Sequence, residues 1–256
     1  MKHTMSFYET ELALSQYLLL HFGRPEDVLP YAFGPSGALQ FPVRCVTECV
    51  MLDRLPRGAR TLDLGCAVGR SSFELARHCA QVVGIDSSEL FVAAARHLQQ
   101  RGTLDFSYVE EGDLVIAATA CVPPEIDRAR AAFEAGDAQS LRTDLGAFDV
   151  ILMANLIDRL RDPRRCLEQL PRLIKPGGQL ILTSPYTWLA EFTPRENWLG
   201  GFERAGRRVK TLDRLKTIFG PHFHLASCKD LPFLIREHSR KFQWSVAEAS
   251  VWIRKE

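Results

Sequence analysis

The stretch "TLDLGCAVGRSSFELA", Thr61 to Ala76, decides how this chain is read. An apolar run, Thr61 to Leu64, ends on two glycines four residues apart, Gly65 and Gly69, and from Ser71 the apolar residues recur at helical spacing. A strand, a tight turn and a helix follow from that order. Glycine at such a turn lets backbone approach a ligand closely, because it has no Cβ and accepts positive φ.

Two cofactor classes fit a turn of this kind. A dinucleotide site uses Gly-x-Gly-x-x-Gly, with the pyrophosphate on the N–H groups of the helix start. Here the spacing is Asp63-x-Gly65-x-x-x-Gly69, and the third glycine is missing. An Asp two residues before the first glycine suits a ligand with an ammonium group, which a carboxylate pairs with or reaches through an oriented water. S-adenosylmethionine carries that group and no phosphate. It is the cofactor expected on Asp63, Gly65, Cys66, Ala67 and Gly69.

Working outward, apolar strand candidates alternate with helical patterns. "TLDL" and "QVVGID" are strands, Ser71 to His78 and Glu89 to Gln100 helices, "FDVILMA" a strand, Pro163 to Ile174 a helix, "KPGG" a turn and "QLILTSP" a strand. Short apolar runs between amphipathic helices imply an α/β, doubly wound, mostly parallel sheet. Glu9 to Phe22 and Val43 to Leu55 read as helices of an N-terminal lid, residues 6–56, joined by a stretch rich in turn formers. The cofactor core is expected over 57–186 and a substrate-side segment over 187–256, in one domain. Between Asp86 and Asp137 the chain is too long for a simple helix-and-return unit. "AAFEAGD" is taken as the third strand rather than "SYVEEGD", because only the former is followed at ordinary loop length by "FDVILMA". Residues near 104–127 then form an insertion.

In open α/β sheets ligands sit beyond the carboxyl ends of the strands. Asp86, with Ser87 beside it, ends the second strand and suits two ribose hydroxyls, or serves the helix start ahead of "SSEL". Asp137, with Ala138, ends the third and suits an adenine amino group, or is an ordinary turn acid. Asn155 ends the fourth, and Tyr186 and Trp188 follow the fifth, as walls for a ring or as core.

Lys and Arg number 32 against 31 Asp and Glu, a net charge of +1, which argues against a nucleic-acid footprint or an anionic membrane surface. No stretch approaches the roughly 20 apolar residues of a membrane span, and "MKHTMSFYET" has no long apolar leader. Seven cysteines without paired short spacings describe no disulfide framework and point to a reducing, cytoplasmic setting. Cys45 and Cys49 read as core, and His222, His224 and Cys228 are too few for a metal site, so none is expected.

The strand-end Asp, glycine turn, second acid and third-strand acid together resemble the class I S-adenosylmethionine-dependent methyltransferases, over about Arg57 to Pro185. "GCAVGRSSFELA" (65–76), "ANLIDRL" (154–160), "SPYTWL" (184–189), "WLGG" (198–201), "LPFLIREHSRKFQW" (231–244) and "GALQFP" (37–42) further resemble the methyltransferase of ovothiol biosynthesis, over nearly the whole chain. That resemblance implies methylation of a ring nitrogen of 5-thiohistidine (4-mercaptohistidine). The family commonly occurs as the C-terminal part of a larger synthase with an iron-dependent sulfoxide synthase region. This chain has no room for that region, so the resemblance implies a separate sulfoxide synthase as partner.

For such an acceptor, Arg236 and Arg240 are expected to fork onto the carboxylate or hold the thiolate. Asp158 or Glu237 is expected to receive the ammonium, and Asn155, Tyr186 and Trp188 to line the ring. Asp158, Tyr186 and Glu237 each qualify as the group that manages the ring proton, and the sequence leaves the three open. A catalytically silent S-adenosylmethionine-binding subunit regulating a sulfoxide synthase, another amino-acid-like acceptor, and an NAD oxidoreductase remain as alternatives.

Overall fold

A computed structural model describes residues 7–256, so residue 6, where the lid was expected to begin, lies outside the described residues. Helix α1 (Glu11–Phe22) starts where the Thr10 side chain accepts from Ala13 N, and α2 (Pro25–Val28) and α3 (Phe41–Thr47) follow. The helix expected over Val43 to Leu55 stops early, because Gln179 takes both Met51 N and Met51 O, at 2.8 and 3.0 Å, and draws the backbone onto the sheet.

The core runs β1 (Arg60–Leu64), α4 (Arg70–Ala76), β2 (Gln81–Asp86) and α5 (Glu89–Arg101). The insertion is an antiparallel hairpin of β3 (Thr103–Glu111) and β4 (Leu114–Cys121). Strand β5 (Ala131–Ala135) then pairs in parallel with β2, so the third strand is the one ending in "EAGD". After β6 (Phe148–Ala154) the helix expected over Pro163 to Ile174 is two short ones, α6 (Pro163–Leu167) and α7 (Leu170–Leu173). Pro171 has no N–H to give and its ring clashes with the carbonyl four residues back, so one continuous helix is excluded.

Strand β7 (Ile174–Ser184) takes in the "KPGG" stretch read as a turn, with Gly177 at φ +73°. A small hairpin, β8 (Phe202–Arg204) and β9 (Arg207–Val209), leads to α8 (Thr211–Phe219). A long antiparallel pair closes the fold, β10 (Phe223–His238) and β11 (Lys241–Arg254).

The sheet order is β10-β11-β7-β6-β1-β2-β5, with β7, β6, β1, β2 and β5 parallel. Alternate residues of each central strand feed two apolar layers: Val82, Val150 and Leu152 on one face, Val83, Ile151 and Met153 on the other. From β1 the chain winds one way to β2 and β5, and later the other way through β6 to β7. The crevice between the carboxyl ends of β1 and β6 is therefore where a ligand belongs. Strand β11 pairs with β7 only over Glu248–Ile253, so the rest of the β10–β11 hairpin projects past the strand ends as a wall. No described helix is long and apolar enough to cross a membrane.

Candidate functional site

A cleft of about 970 Å³ opens at that crevice. Its floor is the glycine turn. Gly65 sits at φ +79°, and a Cβ there would stand 3.0 Å from Leu156 Cδ1, so only glycine leaves the floor unstrained and open. Gly69, at φ +90°, serves another purpose: a Cβ there would meet Phe133 at 2.8 Å, so it lets α4 pack against β5. Gly69 and Cys66 do not line the cleft, and the Cys66 thiol is buried.

Asp86, at the end of β2, lines the cleft and organises it. Its carboxylate accepts from Ala67 N and Ser88 N, both at 2.9 Å, which fixes the turn and opens α5. Burial raises its pKa against the lowering effect of those N–H groups. Ser87, Gly136, Asp137, Ala138 and Gln139 continue the same wall. The Asp137 carboxylate accepts from Gln139 N at 2.8 Å, while Gln139 Oε1 accepts from Asp162 N at 2.6 Å, and these bonds set the loop after β5.

Asp63 lies beneath the turn rather than in the cleft. It is 1% exposed, and its Oδ2 accepts from Ser72 Oγ at 2.6 Å while Oδ1 has no partner. Burial pushes its carboxyl up to about 7. A buried carboxylate oxygen without a donor is costly, and a ligand ammonium, or a water it orients, supplies what is missing. The glycine floor and this orphaned oxygen both fit an S-adenosylmethionine-type ligand.

At the other end, Asn155 (φ +52°) lines the cleft, donating N–H to Thr183 O at 2.9 Å and accepting from Thr183 Oγ1 at 2.9 Å. Asp158 is wholly buried in the wall, and its oxygens are engaged by Ser184 Oγ (3.1 Å), Thr187 N (3.0 Å) and Arg159 Nη1 (3.0 Å). It ties the loop after β6 to the loop after β7 and is no free base.

Five expected acceptor residues stand elsewhere. Arg236 follows Ile235, which lines the cleft, so strand alternation turns it to the opposite side. There it donates to Asp27 O and lies 5.1 Å from the Tyr108 ring, clamping α2 and the inserted hairpin to β10. Arg240 sits in the exposed turn between β10 and β11. Tyr186 donates its hydroxyl to Glu248 at 2.7 Å, and Trp188 donates to Thr211 Oγ1 at 3.1 Å. Both line a separate cavity of about 780 Å³ beside β8–β9. Burial and the Glu248 carboxylate raise the Tyr186 pKa, so its proton stays on. Glu237 is paired with Lys241 Nζ at 2.7 Å and accepts from Gln243 Nε2 at 2.9 Å; Gln243 reaches the cleft and Glu237 does not.

Sequence reasoning missed the residues that take their places. Tyr8, Gln16, Tyr17 and His21 come down from the N-terminal segment, Phe233, Ile235, Gln243 and Ser245 come from the β10–β11 wall, and Arg159 and Phe192 come from the loops between. His21 Nδ1 has no partner, and burial with the nearby Arg70 charge lowers its pKa to about 3, so the imidazole is neutral. The spacing of Tyr17 and His21, one helical turn apart on α1, was the available signal.

Residues 62–182 match the methyltransferase domain family. That match spans just under half of the chain and runs from β1 to β7. This chain is 28% identical over 128 residues to a ubiquinone biosynthesis O-methyltransferase of Coxiella burnetii, covering 50% of this chain and 44% of that protein. A protein of the same description from Xanthomonas oryzae pv. oryzae is 29% identical over 157 residues, covering 60% and 54%. The alignments thus span about half the length of these relatives. Among solved structures, the N-methyltransferase NodS from Bradyrhizobium japonicum, in complex with S-adenosyl-L-homocysteine, superposes with a TM-score of 0.53 at 16% identity, over 95% of this chain and 99% of that one. That likeness bears on the fold. Among the described residues, no group of three or more His, Cys, Asp or Glu side chains could hold a metal ion, and all seven cysteines are free.

Proposed function

We propose that this chain transfers a methyl group from S-adenosylmethionine to an imidazole nitrogen of 5-thiohistidine, with a separate sulfoxide synthase making the carbon–sulfur bond. One observation carries the acceptor. Most of the segments that resemble the ovothiol family lie far apart in sequence and converge on the cleft, with "WLGG" standing outside it, through Phe41 and Pro42, Asn155, Leu156, Asp158 and Arg159, Pro185 and Thr187, and Phe233, Ile235 and Gln243. A bare class I core does not require the first and last of these.

The bound cofactor supplies an electrophilic methyl carbon on a positively charged sulfur. On this reading Asp86 takes the ribose hydroxyls, Asp137 and Gln139 the base edge, and Gly65, Ala67 and Asp63 the amino-acid end. The acceptor lies between Tyr8, Tyr17 and Phe192 on one side and the β10–β11 wall on the other. Holding two molecules in register supplies most of the acceleration. With the Asp158 oxygens engaged and the Tyr186 and Glu237 side chains outside the cleft, the attacking nitrogen enters as the tautomer bearing its lone pair, which Asn155 and Gln243 are placed to select by hydrogen bonding.

A second reading follows from the curated relatives' names: O-methylation of a phenolic acceptor, for which the aromatic cleft walls also offer stacking. A radiolabelled methyl-transfer assay with 5-thiohistidine, histidine and a catechol side by side decides between them. N-methylated thiohistidine, identified by fragmentation mass spectrometry, is the expected product. Transfer to the catechol alone gives the second reading, and transfer to none of them, with S-adenosyl-L-homocysteine still bound, leaves a silent binding subunit.

A further inference from the structure

We propose that Arg159 is the anion anchor of the acceptor site, binding the carboxylate of an amino-acid acceptor through its free guanidinium edge, with Tyr8 as the residue that positions it. The inference rests on the reading above that the acceptor is a small amino acid.

Arg159 is the one arginine or lysine among the described residues that line the cleft. Its guanidinium is fixed on two edges. Nε donates to Tyr8 Oη at 3.2 Å, and Nη1 donates to Asp158 O, Asp158 Oδ2 and Thr187 O, each at 3.0 Å. The group lies 4.9 Å from the Phe192 ring centroid, which holds its plane. Among the described residues no protein acceptor takes Nη2, so one donor edge of a permanently charged fork is left over. A fork already held in place loses little freedom when an anion arrives. Asp158 pairs with the Nη1 side at 3.0 Å and is held there by Ser184 Oγ and Thr187 N, so the pairing leaves the Nη2 donors to a ligand.

Tyr8 holds the anchor from the N-terminal segment. Its carbonyl accepts from Ser88 Oγ at 2.9 Å, next to the ribose acid Asp86, and Glu9 Oε1 accepts from Glu89 N at 3.0 Å. Its ring packs between Tyr17, Phe91 and Phe192, with centroids at 6.0, 6.1 and 6.0 Å. The short helical turn Phe7–Glu9 thus bridges the cofactor end of the cleft to Arg159. An anchored carboxylate would sit under that bridge, and a decarboxylated amine would leave Nη2 without its partner.

The test uses L-histidine and histamine, which differ by the carboxylate, as calorimetric probes of the full chain saturated with S-adenosyl-L-homocysteine. The wild type is expected to bind histidine at least tenfold more tightly than histamine. Arg159→Gln should bring that ratio close to one while still binding S-adenosyl-L-homocysteine, and Arg159→Lys, which keeps the charge and loses the fork, should fall between. Tyr8→Phe should raise the acceptor KM several-fold with kcat little changed, which a merely structural contact would not do selectively. A wild-type ratio near one overturns the proposal without need of any variant, and so does an Arg159→Gln ratio equal to the wild type's. An unchanged KM in Tyr8→Phe overturns the positioning role. Failure of the 5-thiohistidine reading shows separately, as absence of methyl transfer to that compound in the product assay.

Discussion

Replacing Asp63 with asparagine removes a buried negative charge and keeps the oxygen that Ser72 Oγ donates to at 2.6 Å. In the ligand-free protein, burial and then the nearby Asp86 charge hold the Asp63 carboxyl at about 7, against an ordinary value of 3.8. The folded value is raised, so between about pH 4 and pH 7 the folded chain keeps a proton that the unfolded chain has lost. Stability therefore falls as pH rises through that window and stays level above it. The full cost of the ionised form corresponds to about 4 kcal/mol, and relaxation around the charge brings the measurable part to roughly 2–4 kcal/mol. Asp63→Asn is expected to be more stable than wild type by that amount at pH 8, roughly 4–16 °C in Tm, and close to it at pH 4.5. Urea denaturation of both proteins without ligand, from pH 4.5 to 8.5 at fixed ionic strength, measures the difference directly. Binding should move the other way. Wild-type affinity for S-adenosyl-L-homocysteine should rise as Asp63 ionises through pH 7, and the asparagine variant should lose that rise. Parallel stability curves for the two proteins would refute the reasoning.

Asp86→Asn, which removes the charge proposed to receive the ribose hydroxyls, should weaken S-adenosyl-L-homocysteine binding by roughly 1.5–3 kcal/mol, read by calorimetry on a variant whose circular dichroism is unchanged. Gly65→Val puts a branched side chain at φ +79° and against Leu156, so cofactor binding should vanish and stability fall by roughly 1–3 kcal/mol; normal binding would mean the floor lies elsewhere. Arg236→Ala should cost stability, about 2 kcal/mol or more, because it leaves Asp27 O and the Tyr108 ring without their partner, and the acceptor KM of the folded fraction should hold. Arg240→Ala, in an exposed turn, should change neither rate nor regiochemistry, and a tenfold drop in transfer would return the β10–β11 turn to the acceptor site.

The cofactor half was legible because its signals are local. An apolar run ending in Asp63-x-Gly65 and another ending in Asp86 each report a strand end within a few residues, and loop length alone chose the strand ending at Ala135 over the one ending near Asp113. The acceptor half depends on which side of a strand a residue faces and on segments distant in sequence. "LPFLIREH" alternates, so Phe233 and Ile235 toward the cleft exclude Arg236, but only the fold says which parity points inward. Tyr186, just past the fifth strand, was expected to wall the acceptor ring, whereas at φ +54° it turns away and reaches Glu248. Arg159 adjoins Asp158, which drew attention as an acid, and nothing in "NLIDRL" says that the acid is buried and the base open. The Tyr8–Arg159 bond joins residues 151 positions apart, beyond any periodicity argument.

The separation of α1 from its cover has a consequence during synthesis. Leu19 packs with Tyr108 and Leu234, and Leu18 belongs to the layer that holds Leu231 and Phe233, so the "YLLLHF" turn of the helix is buried by a strand roughly 200 residues downstream. At the roughly 5–20 residues per second of translation, that helix leaves the ribosome some tens of seconds before β10 exists to receive it. Throughout that interval its leucines have only the early core and the inserted hairpin to lean on. The nascent chain should therefore be a client of hydrophobic-segment chaperones, and synonymous codons that slow elongation after Ser184 should lower the yield of folded protein more than equal delays placed before Thr61.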